Sequence, residues 1–170
     1  MAADLVIKGG WVVTPDATFK GGVAISNQVI VAIGDDASLP EGKEVIDVKG
    51  KHILPGLFDG HVHFREPGMT HKEDFNTGST AAVCGGITTV VDMPNTVPPT
   101  ADAEQVKIKK ELGEAKSLVD FGITGVVVQT NTKDILPMAA AGVIGYKIFF
   151  GETIGNLPFP DDGMCVEAFD

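Results

Sequence analysis

The chain has 170 residues, 44% apolar and 21% charged, with 13 basic against 23 acidic side chains and a formal net charge of −10. That is the length of one ordinary domain with enough apolar residues for a real core. The acidic balance argues against a nucleic-acid partner, because phosphate binding needs a basic patch, and no apolar run is long enough to cross a bilayer. Cys84 and Cys165 stand far apart without CxxC spacing, and the start MAADLVIKGGWVVTPD lacks a basic-then-apolar leader. A reducing compartment, the cytoplasm, is therefore expected, with no membrane partner.

Residues 4–54 hold short β-type runs, DLVIKGGWVV, GGVAIS, QVIVAIG, KEVIDV and KHILP, separated by Gly, Asn, Asp and Pro turns. They predict a small all-β unit without a helix, over residues 1–54, with neighbouring strands in a meander. From residue 55 the rhythm changes. GLFDGHVHF predicts a strand, and HKEDFNTGSTAAVCGG a helix stopped by Gly85 and Gly86. ITTVVDMP predicts a buried strand, and DAEQVKIKKELGEAKS an amphipathic helix with Asp102 as its N-cap. LVDFGITGVVV, TKDILPMAAAG, VIGYKIFF and DDGMCVEAFD continue the alternation as strand, helix, strand and helix. Apolar strands alternating with helices imply an α/β fold with a parallel sheet covered by helices, either doubly wound or a (β/α)8 barrel. A full barrel takes about 250 residues, so residues 55–170 correspond to about four βα units.

His61 and His63 are two of four histidines. Residues i and i+2 of a strand share a face, so an HxH pair aims two imidazoles at one point, as a metal such as zinc requires. Two histidines hydrogen-bonded at a strand end are the alternative. Asp59 would share that face and orient a ligand, or serve as a turn residue. Lys147 lies in a run read as a central strand, where a lysine is costly unless paired. It could reach solvent or Glu152, form a Schiff base, or be carbamylated into an anionic oxygen ligand. Arg65 and Asn95 follow two successive strands, at the end where barrels carry their chemistry. Arg65 offers a planar, bidentate donor for carboxylate or phosphate, or a salt bridge to Glu66 or Glu73; Asn95 alone reads as a turn residue. His52 and His71 read as surface or turn residues, and Cys84 as a core thiol in a small-residue helix rather than a nucleophile. The P-loop lysine pattern and GxSxG are both missing.

In this order, PGLFDGHVHFREPG, KEDFNTGSTAAVCGGITTVVDMPNTVPPT and GVIGYKIFFGETIG resemble the cyclic-amide branch of the metal-dependent amidohydrolases. That branch holds dihydroorotases, allantoinases and hydantoinases (dihydropyrimidinases). The resemblance implies the first four units of a barrel, preceded by part of a small β-sandwich. It implies His61 and His63 as ligands of a first metal, and carbamylated Lys147 as the bridge between two divalent ions, usually zinc. Dihydroorotases resemble HFREPG and MPNT, where the arginine and asparagine hold the substrate carboxylate. Allantoinases typically carry Asn in place of that arginine, and hydantoinases usually lack it. GGITTVVDMP and GETIGNLPFPDDG, in contrast, look allantoinase- or hydantoinase-like. The resemblance thus implies hydrolysis of a small cyclic amide, dihydroorotate first, by a cytoplasmic homo-oligomeric enzyme.

The family's later residues, two histidines after strands five and six and an aspartate after strand eight, have no counterpart here. The expectation is an N-terminal portion of a longer enzyme, inactive and poorly soluble on its own. Two readings of another class remain: a non-catalytic amidohydrolase-like scaffold, or a stable interaction module.

Overall fold

A computed structural model describes residues 2–153 and 157–169. The chain divides into two compact units, Met1–Pro55 and Gly56–Asp170. Ile154–Asn156, part of the GETIGNLPFPDDG stretch, lie outside the described residues.

The first unit is one mixed five-stranded sheet. Strands β1 (Ala3–Val13), β2 (Thr18–Ser26) and β3 (Val29–Gly34) form the antiparallel meander expected of them. β4 (Gly42–Asp47) and β5 (His52–Ile53) instead return parallel to β1, so the meander stops after three strands. The crossover is made by the only helical piece described in this unit, the 3-10 turn Asp36–Ser38. Ala3, Val6 and Ala24 are buried together, with Ala32 and Leu39 packed on them.

The second unit carries four parallel strands in sequence order: β6 (Leu57–Val62), β7 (Ile87–Asp92), β8 (Asp120–Val127) and β9 (Gly145–Ile148). Helices α1 (Phe75–Cys84), α2 (Ala103–Lys116) and α3 (Ile135–Ala141) connect them, and α4 (Asp162–Phe169) follows. This is an incomplete (β/α)8 barrel, with β6 and β9 as sheet edges among the described residues. Leu57 and Phe58 on β6 and Leu136 on α3 are exposed, as an open half-barrel demands. No described helix is long and apolar enough to cross a membrane.

α1 begins at Phe75, four residues later than His71, where the sequence suggested a helical start. The Asp74 carboxylate accepts from Thr77 N while Thr77 Oγ1 accepts from Asp74 N, a reciprocal cap that halts the helix there. Gly85 caps its other end, and Gly86 follows at φ +82°, as expected of a glycine stop. α2 starts on Asp102, whose side chain accepts from Gln105 N at 2.8 Å.

The core under α1 is aromatic. Phe64, Phe75, Ala82 and Val90 are buried together. Phe75 meets Phe64 and Phe121 edge-on, each at 5.6 Å between centroids. Gly78 lets α1 approach so closely that a Cβ there would lie 2.3 Å from the Phe64 ring. Cys84 is exposed, not a core thiol. The inward row of α1 is Phe75, Gly78, Ser79 and Ala82, and the helical period turns Cys84 away from it.

Candidate functional site

The exit of β6 presents the histidine pair. The strand pairs Asp59 with Val90 and Val62 with Asp92, so β6 carries one extra residue between these points. Such a bulge re-aims side chains, and bulges gather beside functional sites. The His61 and His63 rings nevertheless meet, with centroids 5.2 Å apart and planes at 56°. His61 is exposed and His63 half-buried. Burial, helped by the Arg65 guanidinium and by His61, pulls the His63 pKa below its ordinary value. His63 Nδ1 is buried without a partner among the described groups.

Asp59 does not reach either ring. Its carboxylate accepts from the His61 backbone N–H at 3.0 Å, a local turn bond that braces the bulge.

Arg65 stands two residues beyond His63 at φ +61°, a left-handed conformation uncommon for any residue but glycine. It makes no ion pair among the described residues. Glu66 is committed to Lys116 and to Phe75 N, and Glu73 to the Thr77 hydroxyl. Arg65 Nη1 is buried and has no hydrogen-bond partner among the described residues. Asn95, 4% exposed, follows β7; its Nδ2 reaches Thr153 Oγ1 at 3.5 Å, and its Oδ1 is buried with no partner among the described residues. The loops bearing Arg65 and Asn95 are joined, since Val97 N donates to Pro67 O at 3.2 Å. Gly68, at φ +89°, makes this approach possible: a Cβ there would lie 1.9 Å from Val97 O.

Lys147 sits on β9, paired in register with Val126 of β8. It is half-buried, and its Nζ lies 5.4 Å from the Phe149 ring centroid, with no ion pair to Glu152. Among the described residues no three His, Cys, Asp or Glu side chains converge on one point. The His61 and His63 imidazoles lie side by side at the end of β6, and Lys147 lies on β9, the opposite edge of the described sheet.

Two buried charges escape a reading based on motifs. Asp92 ends β7 and Lys109 lies on α2, and both side chains are wholly buried. Lys109 Nζ is 2.7 Å from Asp92 Oδ2, an ion-pair contact whose angles fall outside hydrogen-bond geometry. Nζ also donates to Met93 O at 2.7 Å and lies 3.5 Å from Thr100 Oγ1. Burial pulls the Lys109 pKa down, and Asp92 opposes that shift. A signal existed: Val106, Lys109 and Gly113 form the inward row of α2 at helical spacing, so the lysine occupies a core position.

Residues 50–157 match the sequence model of the dihydro-orotase-like family. An allantoinase of Deinococcus radiodurans is 38% identical over 170 residues, 99% of this chain and 38% of its own. A dihydroorotase of Methanosarcina mazei is 45% identical over 141 residues, 82% of this chain and 31% of its own. Among solved structures, the L-hydantoinase (dihydropyrimidinase) from Arthrobacter aurescens superposes with a TM-score of 0.90 at 30% identity, over 98% of this chain and 38% of that one. The chain thus spans between three and four tenths of the length of these relatives. It belongs to the dihydro-orotase-like family of cyclic amidohydrolases.

Proposed function

We propose that this chain contributes the His61–His63 metal site and the carboxylate pocket of a hydrolase that opens a carboxylated cyclic amide, dihydroorotate to N-carbamoyl-L-aspartate and back. The observation that carries the substrate choice is Arg65, whose Nη1, beside His63, is buried without a partner among the described residues. A buried guanidinium donor without a partner is costly, and a substrate carboxylate would satisfy it bidentately. Asn95 offers its buried Oδ1 as an acceptor to the same substrate.

His61 and His63 would hold one divalent ion, zinc by the preference of imidazole nitrogen, and carbamylated Lys147 would join it to a second. The buried, unpartnered His63 Nδ1 and its facing partner fit that role. When bound, such ions lower the pKa of a water so that hydroxide exists near neutral pH. The protein's own residues bind and orient. Burial and Arg65 favour the neutral imidazole of His63, the form that ligates. Arg65 and Asn95, on joined loops, set the ring's position relative to the histidines.

Kinship with allantoinases along nearly the whole chain favours a second reading, a neutral ureido ring. One experiment decides between them: turnover of dihydroorotate, allantoin and a hydantoin by the zinc-loaded protein that carries this chain. The highest kcat/KM is expected on dihydroorotate. A preference for allantoin or hydantoin would overturn the carboxylate reading. Silence on every ring would leave the scaffold reading instead.

A further inference from the structure

Lys109 touches none of the residues assigned above to metal or substrate, yet three of its neighbours control how they are presented. Asp92 Oδ1 accepts from Phe64 N at 2.8 Å, and Met93 N donates to Val62 O at 2.9 Å. The peptide groups on both sides of His63 are therefore tied to the end of β7. Lys109 fixes that end twice, through the Asp92 carboxylate and through the Met93 carbonyl. Its third neighbour, Thr100, donates its backbone N–H to Pro94 O at 3.0 Å, which closes the loop that contains Asn95.

From this geometry we infer that Lys109 is a positioning residue that acts with Asp92: the buried acceptor and donor of this pair hold the His63–Arg65 exit of β6 and the Asn95 loop of β7 in mutual register. The inference rests on the proposed roles of His63, Arg65 and Asn95. Burying two charges is a poor way to stabilise a fold, since apolar side chains of like volume often serve as well or better. What an apolar pair cannot do is accept from Phe64 N and donate to Met93 O. The ion pair is thus suited to a job of placement, at the one point where both loops leave the sheet.

The test compares two paired replacements in the full chain: Asp92→Leu with Lys109→Met, and Asp92→Asn with Lys109→Gln. The apolar pair is expected to melt cooperatively, to exchange the Phe64 amide at least tenfold faster, and to bind Co2+ at least tenfold more weakly. The amides of β8 should keep their protection. The neutral hydrogen-bonding pair, which retains an acceptor for Phe64 N, should restore both readouts to within a few-fold of wild type. A folded apolar pair with wild-type Phe64 exchange overturns the inference. If the apolar pair does not fold, wild-type exchange decides: slow exchange at Phe64 supports the clamp, and exchange as fast as exposed loop amides overturns it. His61→Asn with His63→Asn separates the two proposals. Unchanged Co2+ affinity in that variant would overturn the metal reading, and the clamp would then stand or fall on Phe64 exchange alone.

Discussion

Replacing Lys109 by Met in otherwise unaltered protein isolates the cost of breaking the buried pair. Methionine keeps most of the stem volume and removes the ammonium. It leaves the Asp92 carboxylate wholly buried with Phe64 N as its remaining hydrogen-bond donor, and it strips Met93 O of its donor. Removing one partner of a buried ion pair costs about 3–5 kcal/mol. At roughly 2–4 °C per kcal/mol for a chain of this size, the Tm should fall by about 6–20 °C. Scanning calorimetry at fixed pH reads the loss. Trp11, the sole tryptophan, lies in the first unit, so its fluorescence would report the wrong part of the chain. Adding Asp92→Leu removes the stranded charge and should recover most of the deficit. A loss for Lys109→Met below about 1 kcal/mol, the scale of an exposed pair, would refute the reasoning, because it would mean that the site is hydrated.

Arg65→Ala should remove a charge-assisted contact worth about 1.5–3 kcal/mol, hence about 10–150-fold in kcat/KM on dihydroorotate; equal loss on a neutral hydantoin would contradict the carboxylate role. The same variant should raise the His63 midpoint in an NMR titration, since burial and the Arg65 charge both hold it down. The sign for stability follows: the fold favours neutral His63, so its contribution is full above the unfolded imidazole pKa and is lost as pH falls through the folded one. A His63 midpoint unmoved by the substitution would contradict this. Phe75→Ala should cost about 3–5 kcal/mol in a denaturant melt, because Phe75 is fully buried between two aromatic edges. Gly68→Ala places a methyl 1.9 Å from Val97 O at a positive φ; a stability loss of about 1–3 kcal/mol is expected, and an unchanged melt would contradict the loop contact.

Much of the second unit is legible locally because its signals span only a few residues. Asp102 caps α2 and Gly85 with Gly86 end α1 through bonds and φ angles set within one turn. The apolar runs become β6 to β9 because each pairs with its sequence neighbours in a parallel sheet. The histidine pair is legible for the same reason, although the bulge under His61 is not, since it depends on what β7 offers opposite. Resemblance pointed to Arg65 and Asn95; whether Arg65 would be consumed by Glu66 or Glu73 depended on packing. The structure gives those acids other partners, Glu66 to the C-terminal end of α2 and Glu73 to the α1 cap.

Tertiary structure alone decided the remainder. The parallel return of β4 and β5 to β1 is a choice of partner edge, invisible in the alternation of either strand. Cys84 looked like a core residue by composition and is exposed because the face of α1 is chosen by Phe75 and Gly78 against Phe64. The sequence places Lys109 on the inward row of α2. That Asp92 meets it there, 17 residues away in the chain, follows from how α2 lies over the end of β7. Helical and strand periods tell a side chain which way to face. They carry no information about which buried charge will be waiting, and here that encounter ties the exits of β6 and β7 together.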